Sequence, residues 1–321
     1  MMKRTRLGAP LLAIFALSIS CMRPIVRQSV NPANVAVEQL WIDPEAAGRD
    51  LFYGPGGPTL APTEDQPFTF LKRDTTGHSP GYDVRGPDGT KWSIKLGNEA
   101  QPEVASSRLL WAIGFHQPPT YLLASWTLTG EKHGPQDAGR FRPKMPGEKV
   151  VDGWSFYENE FLETREFRGL LVANLILSNW DWKSSNNKIY DTTQPQPGKP
   201  TRRYVVRDLG ASLGRMTMPV PPFRAQGSRN DLEGFESQRL IKGVNGARVD
   251  FDYRGYHRRL VEMIEIGDVV WTCRLFAQLS DRQWDSAFRA AGYPDEMRQR
   301  YIAKLKSKIA EGLALASALT S

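Results

Sequence analysis

Six polar residues stand in an order that suits phosphoryl transfer: Lys95, Glu103, Asp181, Lys183, Asn186 and Asp208. A lysine neutralises nonbridging phosphate oxygens, and a glutamate on a helix holds that lysine in place. An aspartate takes or orients the proton of the attacking group, while an asparagine and a second aspartate hold Mg²⁺ against the phosphates. Magnesium prefers hard oxygen donors, which Asn and Asp supply. The stretch NWDWKSSNN (179–187) carries three of the six at D-x-K-x-x-N spacing, and Asp208 closes VVRDLGASLG. Glu103 lies only eight residues beyond Lys95, so Glu99 is an alternative partner for the lysine.

The local patterns place these residues on definite elements. FTFLKRD (67–73) reads as a strand. YDVRGPDGTKWSIKLG reads as a hairpin around Gly86-Pro87-Asp88-Gly89, with Lys95 near the end of its second strand. From Pro102 to Ile113 the period becomes helical, with proline in the first turn and Gly114 just past the end. This puts Glu103 at the start of a helix. TYLLASWTL (120–128) and WSFYENEF (154–161) read as two further strands. TREFRGLLVANLILSNW reads as a core helix that delivers Asp181 at its end, and RRYVVRDLG as the strand that delivers Asp208. Several helices follow over 231–317, the last from about Asp295 to Leu315. Five strands and one helix followed by a helical half predict an α+β chain in two lobes.

With those residues in order, the chain resembles the protein-kinase-like superfamily, closest to its atypical members, the HipA-type bacterial kinases and the phosphoinositide kinases. The shared landmarks are an early Lys strand, an E-x(10)-G helix (Glu103 to Gly114), an Asn-x-Asp loop and D-x-G-x-x-x-G at Asp208, Gly210 and Gly214. They cover residues 67 to 215. The resemblance implies a bilobal fold with a β-rich N-lobe holding one helix (67–161) and a mainly helical C-lobe (162–321). It implies Asp181 as the catalytic aspartate, Lys183 on the γ-phosphate, and Asn186 and Asp208 as metal ligands. Lys95 and Glu103 would be the phosphate-anchoring pair. The TTGHSPG segment, through Gly77 and Gly81, would stand in for the glycine-rich phosphate loop. The expected cofactors are ATP or another nucleotide and Mg²⁺, with a protein or small molecule as acceptor of phosphate or of a nucleotidyl group. Several features depart from the pattern. There is no G-x-G-x-x-G, Asn179-Trp180 precedes the catalytic position, and a Pro/Gln-rich excursion separates Asn186 from Asp208. A surface insertion of that kind is cheap in loop-closure entropy.

The other readings concern the same chain. Gly210-Ala-Ser212-Leu-Gly214 fits a G-x-S-x-G nucleophile elbow, with Asp231, Asp250, Asp252 and His257 downstream. Against it, three prolines in four residues follow, where an elbow needs a helix. A catalytically silent kinase-like scaffold that only binds a ligand is the third alternative.

Composition bounds all of these. The 321 residues are 40% hydrophobic and 24% charged, which excludes a multi-span membrane protein and a disordered chain. Two cysteines and four histidines exclude a disulfide framework and disfavour a zinc site. Residues 1–20 have the layout of a bacterial export signal: Lys3, Arg4 and Arg6, then an apolar run too short to span a membrane. Cys21 after Ser18-Ile19-Ser20 resembles a lipoprotein box, and cleavage after Ser20 is the alternative. The expected location is therefore the bacterial cell envelope, lipid-anchored at Cys21, with residues 21–66 as an arm packed through Leu40, Trp41, Leu51 and Phe52. Loss of the leader takes the formal charge from +7 to +4, and no basic block with interleaved aromatics suggests nucleic acid. Export of a nucleotide-dependent enzyme requires delivery to an ATP-rich compartment, another donor, or a lost activity.

Overall fold

In the computed structural model the described residues are 24–27, 34–75, 79–130, 134–195, 198–216 and 227–319. The leader (1–20), Cys21 and Gly77 lie outside them. Period-2 patterning makes the first elements. They are β1 (Pro67–Asp74), β2 (Gly81–Arg85), β3 (Lys91–Leu96), then α1 (Ala100–Ala112), β4 (Tyr121–Leu123), β5 (Trp126–Thr129), β6 (Gly134–Gln136), β7 (Gly139–Pro143) and β8 (Glu148–Asp152). The second half holds α2 (Arg165–Ile176), β9 (Asn187–Thr192), β10 (Arg202–Val206), α3 (Leu232–Glu236), β11 (Ile241–Asn245), β12 (Arg248–Phe251), α4 (Arg258–Val261), α5 (Ile266–Ala277), α6 (Asp281–Ala290) and α7 (Asp295–Leu313). The chain is thus a mixed α+β protein. Among the described residues no helix is long and apolar enough to cross a membrane.

The large sheet has the order β4-β7-β3-β2-β1-β5-β6, and it curls around an aromatic core of Phe68, Trp92, Tyr121, Trp126 and Phe141. Alternation along the strands sets which side chains face inward. Trp92 and Ile94 enter this core, so Lys95 projects from the opposite face; Phe141 enters it, so Arg140 and Arg142 project with Lys95. Lys95 is paired in register with Arg140 on β7 and with Gly81 on β2. The second core is larger. It joins α1 to α2, α5, α6 and α7, and it includes Leu40 and Leu51 from the segment before β1.

Two strand expectations change. TYLLASWTL breaks into β4 and β5. Residues 154–161 form turns instead of a strand, because Asn159 turns the backbone on itself: its Nδ2 donates to the Ser155 carbonyl and its Oδ1 accepts from Phe161 N. Residues 34–66 pack against the body, with Leu40 and Leu51 buried in its core. Trp41 Nε1 donates to the Ile113 carbonyl at 2.7 Å and Gln283 Nε2 to the Ala46 carbonyl at 2.6 Å.

Gly114 lets this segment dock. Its φ is +101°, and a Cβ there would lie 2.3 Å from the Ile42 carbonyl oxygen and 2.4 Å from Trp41 Nε1. Gly114→Ala therefore carries both backbone strain and a backbone collision, and is expected to cost about 2–3 kcal/mol. Chemical denaturation would measure that loss, and limited proteolysis would show early cleavage within residues 34–66.

Candidate functional site

A buried carboxylate organises the site. Glu103 stands in the first turn of α1 and is 0% exposed. Its Oε1 meets Arg140 Nε at 3.0 Å and Arg142 Nη2 at 2.5 Å, and its Oε2 meets Lys95 Nζ at 2.9 Å. Lys95 in turn reaches Asp208 Oδ1 at 2.8 Å and Glu99 Oε2 at 3.3 Å. Both candidate partners of the lysine are thus engaged at once, which resolves the choice between Glu99 and Glu103. Lys95 is 15% exposed at the side chain and Asp208 is 38% exposed, so the chain of charges runs from the interior to solvent.

These contacts set the protonation states. Burial pushes the Glu103 carboxyl up, but Arg140, Lys95 and Arg142 more than offset it and hold the group well below the usual carboxylate range. Burial pulls Lys95 down, and Glu103 and Asp208 outweigh that, leaving its pKa above the ordinary value.

Asp208 is joined to the Asp181 loop through the main chain. The backbone N–H groups of Arg207 and Asp208 both donate to the Asn186 carbonyl, at 3.0 and 3.2 Å. Asn186 Nδ2 donates to the Asp181 carbonyl at 2.9 Å, so its amide oxygen points away from that bond. Asp181 pairs with Lys183 at 2.8 Å. Lys95 is therefore linked through Asp208 to the Asp181 loop, by main-chain carbonyls at Asn186 and Asp181. Gly210 is needed here: a Cβ on it would lie 2.6 Å from Glu99 Cβ, so only glycine lets the Asp208 segment approach the start of α1. Gly81 is the first residue of β2, beside Lys95, and not part of a loop.

Two tryptophans fix the loop on either side of Asp181. Trp180 Nε1 donates to the Ser228 carbonyl, and Trp182 Nε1 to the Asn179 carbonyl. Trp182 also stacks on Tyr253 and His257. Both indoles are buried, and the intervening Asp181 keeps part of its side chain exposed and pairs with Lys183. Asn187 is fully buried and donates to the Trp154 carbonyl, whereas Asn186 is half-buried.

The hydrolase arrangement does not form. Ser212 is 0% exposed, and the described residues right after it, 213–216, are not helical. Asp231 caps α3 through Gly234 N, and His257 Nδ1 is 2.8 Å from the Tyr157 hydroxyl. Cys273 is buried in α5 and its thiol is pushed up to about 12 by burial, which suits a core residue.

Sequence reasoning missed Arg140, Arg142 and Arg229. The last forms an ion pair with Glu99 and lies over the Trp180 ring at 5.2 Å. The R-F-R alternation between Gly139 and Pro143 was the available signal for a strand with two outward arginines.

Glu103→Gln would leave Arg140 and Arg142 buried without a countercharge, at an expected cost of about 3–5 kcal/mol. A carboxylate whose folded pKa is depressed contributes stability above its unfolded value and loses it only as pH falls through the folded value. The gap in unfolding free energy between wild type and Glu103→Gln should therefore be flat from about pH 5 to 8 and narrow only in stronger acid. Urea titrations across that range would measure it.

No family model matches the chain, and no curated protein matches it. Among solved structures it is similar to the Helicobacter pylori proinflammatory kinase CtkA, at 11% identity, over 78% of this chain and 97% of that one, with a TM-score of 0.43.

Proposed function

We propose that this chain is a kinase-like phosphotransferase of two lobes that binds a Mg²⁺-nucleotide at the Lys95–Asp208 site. The observation that carries the proposal is that Lys95 bridges the buried Glu103 and the part-exposed Asp208, whose backbone the Asn186 carbonyl holds beside the Asp181 loop. The donor set fits magnesium. Asp208 offers carboxylate oxygens and Asn186 an amide oxygen, both hard ligands of the kind magnesium takes. When bound, the ion would neutralise charge on the phosphates.

The residues divide the work. Lys95, held by Glu103, exchanges its contact with Asp208 for nonbridging phosphate oxygens. Asp208 and Asn186 are the residues that would hold the metal. Asp181 accepts the proton of the acceptor hydroxyl as its oxygen bonds to the γ-phosphorus and the bond to the nucleoside diphosphate breaks. Lys183 turns from Asp181 to the transferred phosphoryl group. Gly81 lies next to Lys95 at the start of β2, the place for the phosphates' outer contacts. The acceptor is a protein or small molecule, and the setting is the cell envelope, with Cys21 as the lipid anchor.

Thermal unfolding with Mg·ATP tests this. A ligand at a hundredfold its dissociation constant stabilises by about 2.7 kcal/mol, which for a chain of this size is a rise of about 5 °C. Wild type should show it, and Asp208→Ala and Lys95→Met should not. A flat wild-type response across nucleotides would overturn the reading.

A further inference from the structure

Lys308, on the C-terminal helix α7, is 1% exposed and takes no part in the chemistry above. Its ammonium donates to the Ser178 hydroxyl at 2.8 Å and to the Ile176 carbonyl at 3.2 Å, and it lies 3.9 Å from the centroid of the Phe235 ring. Both hydrogen-bond acceptors belong to the end of α2, one to three residues before Asn179.

The last carbonyls of a helix have no partner within it and must be satisfied from outside. Here Asn179 N donates to the Asn174 carbonyl and Ser178 N to the Leu175 carbonyl, the paired bonds of a Schellman stop. The Leu177 carbonyl accepts from Leu213 N, in the segment after Asp208. The Ile176 carbonyl is left, and Lys308 takes it. Ser178 occupies the position of this motif where glycine is usual, with φ at +52°. A serine there carries strain that glycine would avoid. What the serine supplies is the hydroxyl that Lys308 holds.

A buried ammonium is also a poor choice for stability alone, since an apolar chain of the same length escapes the desolvation cost. Burial and Lys304 lower its pKa to about 7, against weaker opposing effects of Glu311 on the same helix and Asp252 beyond β12. The same helix reaches the other half of the site: the Tyr301 hydroxyl donates to the Leu213 carbonyl at 3.2 Å. One helix thus ties down the residues that precede Asp181 and those that follow Asp208.

We infer that Lys308 is a positioning residue for the Asp181 loop, clamping the end of α2 through Ser178 and the Ile176 carbonyl so that residues 179–187 leave it in a single direction. The functional consequence rests on the reading of Asp181 and Asn186 given above; the clamp itself does not.

Hydrogen exchange followed by mass spectrometry on the full chain tests it, with Lys308→Met and Ser178→Ala. Both remove the Lys–Ser bond, and Ser178→Ala keeps the Ile176 contact should Lys308→Met fail to fold. The expected result is exchange about tenfold faster over residues 178–187 and at Leu213, with α5 unchanged. Unchanged exchange over 178–187 in both variants, or a uniform rise over the whole chain, would overturn the clamp. Mg·ATP titration forms the second arm, with affinity about tenfold weaker in each variant. If wild type binds no nucleotide, the proposed function fails, and the exchange result still decides the role of Lys308. If wild type binds and the variants bind equally well despite a loosened loop, the positioning role is overturned.

Discussion

The candidate site depends on one carboxylate that has no contact with solvent. Glu103 takes Arg140 and Arg142 on one oxygen and Lys95 on the other. Its burial would be prohibitive alone, and so would that of the arginines, which are 4% and 6% exposed. Together they lock α1 to β3 and β7. This makes the geometry of Lys95 a property of the fold and not of a mobile pair. In the proposed function, a lysine held in this way would keep its place as a phosphate replaces Asp208.

The rest of the molecule completes that arrangement from two directions. The curled sheet sends its aromatic side chains into its own core, which leaves Lys95, Arg140 and Arg142 on the face toward α1. The helical half brings Asp208 and the Asp181 loop to the same point through main-chain bonds at Asn186. Gly210 permits the approach, and α7 holds both strands of the loop region from behind. The segment before β1 closes the far end of α1 at Trp41 and Gly114, so the helix is fixed at both ends.

Much of this was legible in the sequence because it is written in local patterns. The hairpin around Gly86–Gly89, the helix bounded by Pro102 and Gly114, and the order of Lys95, Asp181, Asn186 and Asp208 follow from spacing alone. Contacts distant in sequence were not legible. Glu103 and Arg142 are 39 residues apart, and Ser178 and Lys308 are 130 apart, and nothing in either stretch names its partner. Residues 154–161 misled because their aromatic alternation mimics a strand, whereas the side chain of Asn159 competes for the backbone. The β11–β12 hairpin did carry a signal, Asn245-Gly246 between two short apolar runs, inside a region read as helical.

The central claim is that one charge cluster, built on Glu103, presents a magnesium-nucleotide site. Paramagnetic broadening by Mn²⁺·ATP in amide-resolved NMR of the labelled protein tests it most directly. The account predicts that substoichiometric Mn²⁺·ATP broadens the amides of Lys95, Asn186, Asp208 and Gly210 together, and leaves those of the β11–β12 hairpin sharp. Broadening confined to other residues, or none at those four, would contradict it.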